Sequence, residues 1–357
     1  MNENYSQIIA RLIEAAPFDI DPNIRMEGRP PSSASSEFLT NKEQGDWAER
    51  VVLAAINENC PDHLAVSYGR GDGLAAGDPG FADFYREYQD ELNTIGKKPD
   101  ILIFRRADFL GREHVDLANE QTVSRAVAAI EVRSSSFLAT KYALFMSNRI
   151  KYAEQECMRV RRLILQEPFA TLLHQKSPDL FDLINNAGLS TFRELDFRFR
   201  SWSSSALLQE LSEYLKLLKE QIKILHKRDY LSITPKVEDL ALVNRWIQRF
   251  NVPHYYLQVF FDRAYIISFR EILEIISDSA KEDVVFSVEK DVKNQGKTTI
   301  KIAIQIGREI IGRMDMPEHK SALKELERGR LLFYVTFSGG RGYLDPEVFY
   351  HELMCNV

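Results

Sequence analysis

The sequence is short of the features that mark several large protein classes. Only three of its 357 residues are cysteines, Cys60, Cys157 and Cys355, far apart and in no C-x-x-C pair. That number and spacing argue against a disulfide framework or a zinc knuckle, and a reducing cytoplasm is the expected compartment. No run approaches the roughly 18 consecutive apolar residues of a membrane span, so no membrane partner is expected. The opening MNENYSQIIARLIEAAPF is amphipathic and carries acidic residues, which does not fit the cationic start and apolar core of a signal peptide. Residues 69–80 hold five glycines but no G-K-[ST], and no dinucleotide fingerprint follows a strand pattern, so no nucleotide cofactor is expected. The seven histidines are scattered, with no H-E-x-x-H, and Ser134 to Ser136 lack the G-x-S-x-G frame of a hydrolase elbow. His174 and His254 read as structural or surface residues.

Positive charge is also lacking overall. The formal net charge is -6, so any attraction to nucleic acid must be local. Residues 1–98 hold 9 basic against 17 acidic residues, whereas residues 141–230 hold 15 against 11. That basic middle contains Arg159, Arg161 and Arg162, then Arg193, Arg198 and Arg200 interleaved with Phe192, Phe197, Phe199 and Trp202. Two readings stay open: a surface that tracks phosphates, or a helical face whose arginines lie along apolar surface.

What is present suits a globular chain. At 45% hydrophobic and 27% charged, with about 100 to 200 residues per domain, the length predicts two domains or one domain with an insertion. A first helix precedes a Pro- and Ser-rich loop at 26–40, and Thr40 with Glu43 predicts a capping box before a helix that carries Trp47, Val51 and Ala55 on one face. Residues 99–104 form a continuous apolar run opened by Pro99, as in a buried strand. A second strand is expected from Val127 to Arg133, whose period of two puts Val127, Ala129, Glu131 and Arg133 on one face and Ala128, Ile130 and Val132 on the other. From Lys141 the pattern turns helical, and Leu208, Leu211, Leu215, Leu218, Ile222 and Leu225 form a stripe suited to a core or a dimer seam. Strand patterns return at 255–261, 265–268, 299–306 and 331–337. The order implies an α/β fold with a central mixed β-sheet flanked by helices, in segments 1–140, 141–250 (a helical insertion) and 251–357 (strands completing the sheet).

Charge at the end of an apolar strand needs a partner or a metal. Asp100 opens one predicted strand and Glu131 nearly closes the next, so two carboxylates can converge at a sheet rim. Oxygen ligands of this kind suit Mg²⁺, which takes one or two protein carboxylates plus waters and phosphate oxygens, and the Val132 carbonyl could add another. Arg133 points to the same place, and metal plus cation is what phosphoryl displacement needs.

Pro99-Asp100 followed by Glu131-Val132-Arg133 resembles the PD-(D/E)xK nuclease signature, with Arg133 where that motif has lysine. Ala129-Ile130-Glu131-Val132-Arg133-Ser134-Ser135-Ser136 and Val252-Pro253-His254-Tyr255-Tyr256-Leu257-Gln258-Val259-Phe260-Phe261-Asp262 resemble type II restriction endonucleases, most nearly the AccI-type group. The resemblance implies a PD-(D/E)xK restriction-endonuclease-like core and Mg²⁺-dependent, site-specific hydrolysis of double-stranded DNA at a short palindrome, leaving 5′-phosphate ends. It also implies a homodimer, with the insertion serving DNA contact or dimerisation and the last segment carrying DNA-binding loops. Asp100 and Glu131 carry over as metal ligands and Arg133 as the third active-site residue, although an arginine cannot serve as a base near neutral pH. Glu49 resembles an extra acid on the preceding helix and is otherwise a helix-surface glutamate. Lys141, just past the motif strand, is an alternative to Arg133. The rival functions are a noncatalytic DNA-binding or assembly protein, with Glu131 and Arg133 as a plain ion pair, and a repair or structure-specific nuclease on the same core.

Overall fold

The computed structural model describes residues 4–69, 74–109, 115–291 and 297–354; residues 70–73 of the glycine-rich stretch and Cys355 lie outside them. The chain divides into a core unit, residues 1–139 with 232–357, and a helical unit, residues 140–231. The core unit opens with α1 (Tyr5–Ala15), α2 (Ser36–Asn59), β1 (His63–Ser67), α3 (Phe81–Thr94), β2 (Ile101–Arg105), α4 (Glu120–Val123) and β3 (Ala128–Ser134). The helical unit contains α5 (Ala139–Ile164), α6 (Phe169–Lys176), α7 (Pro178–Asn186) and α8 (Ala206–His226). The chain then returns to the core unit with β4 (Ser232–Ile233), α9 (Val237–Phe250), β5 (His254–Val259), β6 (Ala264–Ser268), α10 (Phe269–Ile276), β7 (Phe286–Asp291) and β8 (Lys297–Ala303). It ends with β9 (Arg308–Met314), β10 (Glu318–Glu325), β11 (Leu331–Ser338), β12 (Gly342–Leu344) and α11 (Pro346–Met354). No helix among the described residues is long and apolar enough to cross a membrane.

The central sheet has the order β1-β2-β3-β5-β6-β9-β12. It is mixed: β3 runs parallel to β5, and the other neighbours are antiparallel. Ile101 pairs with Ile130 and Ile103 with Ala128, so the start of β2 lies beside the middle of the antiparallel motif strand β3. Alternation then sorts the side chains of β3. Ala128, Ile130 and Val132 join Trp47, Val51 and Ala55 of α2 in the main core. Glu131 and Arg133 face the other side, which α9 and α10 cover; there the His254 ring packs 6.1 Å from Trp246 and 5.9 Å from Phe269.

Four expectations change. α2 starts at Ser36, not after Thr40, because the Ser35 side chain caps it by accepting from Phe38 N at 3.0 Å; Thr40 lies inside the helix, where its Oγ1 accepts from Val335 N. The compact insertion ends at residue 231 rather than 250, because α9 buries Leu240, Val243, Trp246 and Ile247 in the core unit. The leucine stripe of α8 is spent inside the helical unit, where Leu208 to Leu225 meet Ala153, Cys157, Val160 and Ile164 of α5, so it offers no dimer seam. The strand pattern at 299–306 is a strand only as far as Ala303, after which a 3₁₀ turn takes Ile304–Ile306.

The arginines of the helical unit take local structural or solvent-facing places. Arg161 Nε donates to the Ile184 carbonyl at 2.9 Å and its Nη2 to that of Asn185, capping the end of α7. Arg159 pairs with Glu156 one turn away, 2.9 Å. Phe192 and Phe197 are buried while Arg193, Arg198 and Arg200 point to solvent, so that run is a core-facing aromatic pattern with charged residues between.

Gly96 sets the approach of the α3–β2 connection to α9. Its φ is +91°, and a Cβ there would meet the Leu242 carbonyl oxygen and lie 2.7 Å from Trp246 N. Both obstacles are helix backbone and cannot rotate away. Gly96→Ala is therefore expected to destabilise the fold by about 3 kcal/mol, from left-handed strain plus displacement of α9. Chemical denaturation of the two proteins checks this, and equal stability would refute it.

Candidate active site

The sequence Lys97-Lys98-Pro99-Asp100 carries the chain from Gly96 into β2. Pro99 has no N–H to leave unpaired, and Asp100 is locked by its backbone: its N–H donates to the Ile130 carbonyl at 3.0 Å, and its own carbonyl accepts from Tyr68 N at 2.8 Å and Gly69 N at 3.2 Å. Its side chain is equally fixed, because Asp100 Oδ2 accepts the Val132 N–H at 2.7 Å. One strand end thus holds the side chain of the other.

Glu131 is 3% exposed, and its partners explain how a carboxylate survives there. Lys97 Nζ lies 2.8 Å from Glu131 Oε1, and Arg133 Nη2 lies 2.9 Å from the same oxygen. Asp239 of α9 completes the group, with Oδ2 at 2.8 Å from Lys97 Nζ and 3.3 Å from Arg133 Nη2. Two cations and two carboxylates therefore neutralise one another in a ring whose Glu131 is buried and whose other members are partly buried. Lys97 is held for this by its own N–H, which donates to the Leu242 carbonyl at 3.0 Å beside Gly96.

The ring sets the ionisation of its members. Burial alone would raise Glu131, but Lys97 and Arg133 together lower it. Burial opposes ionisation of Asp239 in the same way, yet the same two cations bring it down to about 2. Glu131 raises the pKa of Arg133 further, and Asp239 adds to that. His254, on the neighbouring strand, is lowered to about 4 by burial and is a neutral core residue.

A cleft of about 530 Å³ opens over these residues, lined by Glu49, Asp100, Glu131, Val132 and Arg133 together with α2 residues and the turn Ser134–Phe137. Outside the ring Asp46 pairs with Lys42 at 2.7 Å, whereas Glu49 and Asp100 have their pKa values raised. Glu49 is raised to about 7 by burial, then by Asp46 and Glu131. Asp100 is raised well above the ordinary value by burial, Glu131 and Glu49. Glu131 Oε2 is buried without a hydrogen-bond partner. Among the described residues, no three His, Cys, Asp or Glu side chains are close enough to enclose a metal by themselves. A hard cation that keeps several waters needs fewer: one or two carboxylates suffice, and an orphaned buried oxygen beside repelling carboxylates fits such an ion.

Five residues that the sequence singles out, Glu49, Asp100, Glu131, Val132 and Arg133, thus line one cleft. Lys141 lies exposed on α5 in the helical unit. Two members of the charged ring escape the sequence reading, Lys97 and Asp239. Lys97 stands three residues before Asp100 and has a sequence signal, a lysine pair abutting the Pro-Asp step. Asp239 has none, because only the docking of α9 brings it to β3.

A family model described as AccI restriction endonuclease matches residues 5–355. No curated protein and no solved structure matches the chain. The match spans both sheet strands and everything packed on them, and the chain belongs to the AccI restriction endonuclease family, as a type II site-specific DNA endonuclease that hydrolyses its substrate.

Proposed function

We propose that this endonuclease cuts both strands of duplex DNA at a short palindrome, using a PD-(D/E)xK-type site with Mg²⁺ and leaving 5′-phosphate ends. The observation that carries the reading is the convergence of Asp100, Glu131 and Glu49 on one cleft, and of these three only Glu131 is neutralised by its neighbours. Asp100 and Glu131 would hold the ion, with the Val132 carbonyl as a further ligand and Glu49 reaching it directly or through water. Bound there, Mg²⁺ supplies an activated water and offsets charge on the phosphate. The remaining work falls to the chain. Lys97 and Arg133 keep Glu131 ionised and fix its direction. Arg133, which lines the cleft, stabilises charge that develops on the phosphate, a task a guanidinium performs without giving up a proton. Lys97 then fills the place of the motif lysine that sequence order offers to Lys141, approaching from the α3–β2 connection instead of from β3 or α5. A homodimer follows from the reading of a two-fold site by a two-fold protein.

Asp100→Ala and Glu131→Ala are expected to lower single-turnover cleavage on the order of a thousandfold while leaving DNA affinity in place, since they remove ligands and not the groove. Cleavage by either variant at the parent rate would remove the assignment.

Lys97→Met leaves three charges of the ring unbalanced and is expected to cost about 3 kcal/mol of stability together with a hundredfold or so in cleavage. Adding Asp239→Asn removes the surplus negative charge, so the double variant should regain stability without regaining cleavage. Parallel recovery of melting temperature and rate would make Lys97 a structural residue only.

The pH dependence follows from the raised carboxylates. Glu49 at about 7 and Asp100, also raised, are protonated in acid and released as pH climbs. Cleavage at limiting Mg²⁺ should therefore rise with pH through about 7 and then level. Because cation and proton compete for the same oxygens, more Mg²⁺ should move the midpoint to lower pH, and Glu49→Gln should lower it too by relieving Asp100. A profile independent of Mg²⁺ concentration would contradict this.

A further inference from the structure

A second cleft, of about 1030 Å³, adjoins the first, and Asn41, Lys42, Asp100 and Arg133 line both. One wall is α3, which presents Phe81, Phe84, Tyr85 and Tyr88 to it at helical spacing. This wall is unlike a core-facing stripe. Leu92 is the one buried residue of α3, and the four aromatic rings are half-buried. Phe84 and Tyr88 lie nearly parallel, at 12° with centroids 6.4 Å apart, and Phe81 and Tyr85 lie 5.9 Å apart. Aromatic surface of this extent, left half open beside an active site, suits a flat ligand.

The charge of the same cleft narrows the ligand. Lys42, Lys97, Lys98, Arg133 and Lys236 line it against two carboxylates, Glu91 and Asp100. Lys98 bridges to Glu91 at 2.7 Å and stands over the Tyr68 ring at 5.4 Å, fixed at the edge of the aromatic wall. Lys42, Lys97, Lys98 and Arg133 are each paired with a carboxylate, so the cavity offers polar donors beside a ring-lined wall whose π-faces are of the kind that hold the bases of single-stranded nucleic acid. Its volume is that of a ligand site rather than of a gap between side chains. In a stacked duplex both faces of every base are already covered, so a base can use this wall only by leaving the helix.

We propose that this cleft receives one nucleobase of the substrate, unstacked from the duplex next to the scissile phosphate, and holds it against Phe84, Tyr85 and Tyr88. The proposal rests on the reading of the Asp100–Glu131 cleft as the site of DNA cleavage, since that is what brings the strand to Asp100 and Arg133. The base leaves without covalent change, and its neighbour's phosphate remains at the shared border of the two clefts.

Mismatch binding tests it. The cut position is first found by sequencing the ends of plasmid fragments, and duplexes of that site are then made with a single mismatch at each position in turn. Affinity is measured without divalent ion, where no cutting occurs. At a position next to the cut, a mismatch is expected to tighten binding about tenfold, because the enzyme no longer has to break the pair. At positions read by hydrogen bonds, a mismatch should weaken binding. Phe84→Leu with Tyr88→Leu keeps apolar bulk but removes two stacking faces, and should abolish the gain from the mismatch at an unchanged melting temperature. Tyr85→Ala, milder for the fold, should reduce the gain in the same direction. Cutting by the wild type combined with weaker binding at every mismatch, or aromatic variants that keep the full gain, would overturn the base-receiving cleft and leave the cleavage site standing. A protein that neither binds nor cuts any duplex would overturn both.

Discussion

A buried carboxylate on an apolar strand is the constraint on which the rest of the site depends. Glu131 is tolerable in β3 only because Lys97 and Arg133 meet one of its oxygens, and those two cations are tolerable only because Asp239 balances the second charge. Desolvating four charges costs about as much as their attraction returns, so the ring is not a simple source of stability. What it supplies is position. Glu131 cannot turn away without leaving Lys97 and Arg133 uncompensated, and α9 cannot drift without taking Asp239 with it. The left-handed turn at Gly96 belongs to the same arrangement, since it lets the backbone before Lys97 lie against α9.

Neutrality in the ring makes the adjoining carboxylates informative. Glu131 and Asp239 are ionised by their partners, whereas Glu49 and Asp100 are pushed the other way by burial and by Glu131 itself. One cleft therefore holds a carboxylate whose charge is fixed beside two whose charge depends on what enters. Carboxyl oxygens that give up their protons as a cation enters are suited to binding one. Arg133 stands at the border, paired to Glu131 yet lining both clefts, and the Asp100 side chain is held there by a backbone amide rather than by a cation.

The two units divide the apolar stripes between them. The leucines of α8 close the helical unit on itself, and α9, with an equally amphipathic pattern, closes the face of the sheet on which Glu131 lies. α3 is different. It leaves its aromatic face half open toward the larger of the two clefts, and a helix in which only Leu92 is buried gains little stability from packing.

The sequence by itself determined the elements whose signal is local. The period of two in Val127–Arg133 separates the core face from the charged face of β3, the Pro-Asp step opens β2, and the leucine recurrence yields α8; each is a property of neighbours along the chain. Family membership was legible for the same reason, since the motif strand and the Val252–Asp262 segment are contiguous. Tertiary structure alone decided which charges meet. Asp239 lies 106 residues from Arg133 and touches it because α9 crosses the sheet. Lys97 acquires its role from a turn whose φ only glycine adopts cheaply, and the choice between core and dimer for the α8 stripe waited on what α5 places opposite it. Periodicity reports which face is apolar, while the identity of the partner on that face depends on long-range packing that no local pattern encodes.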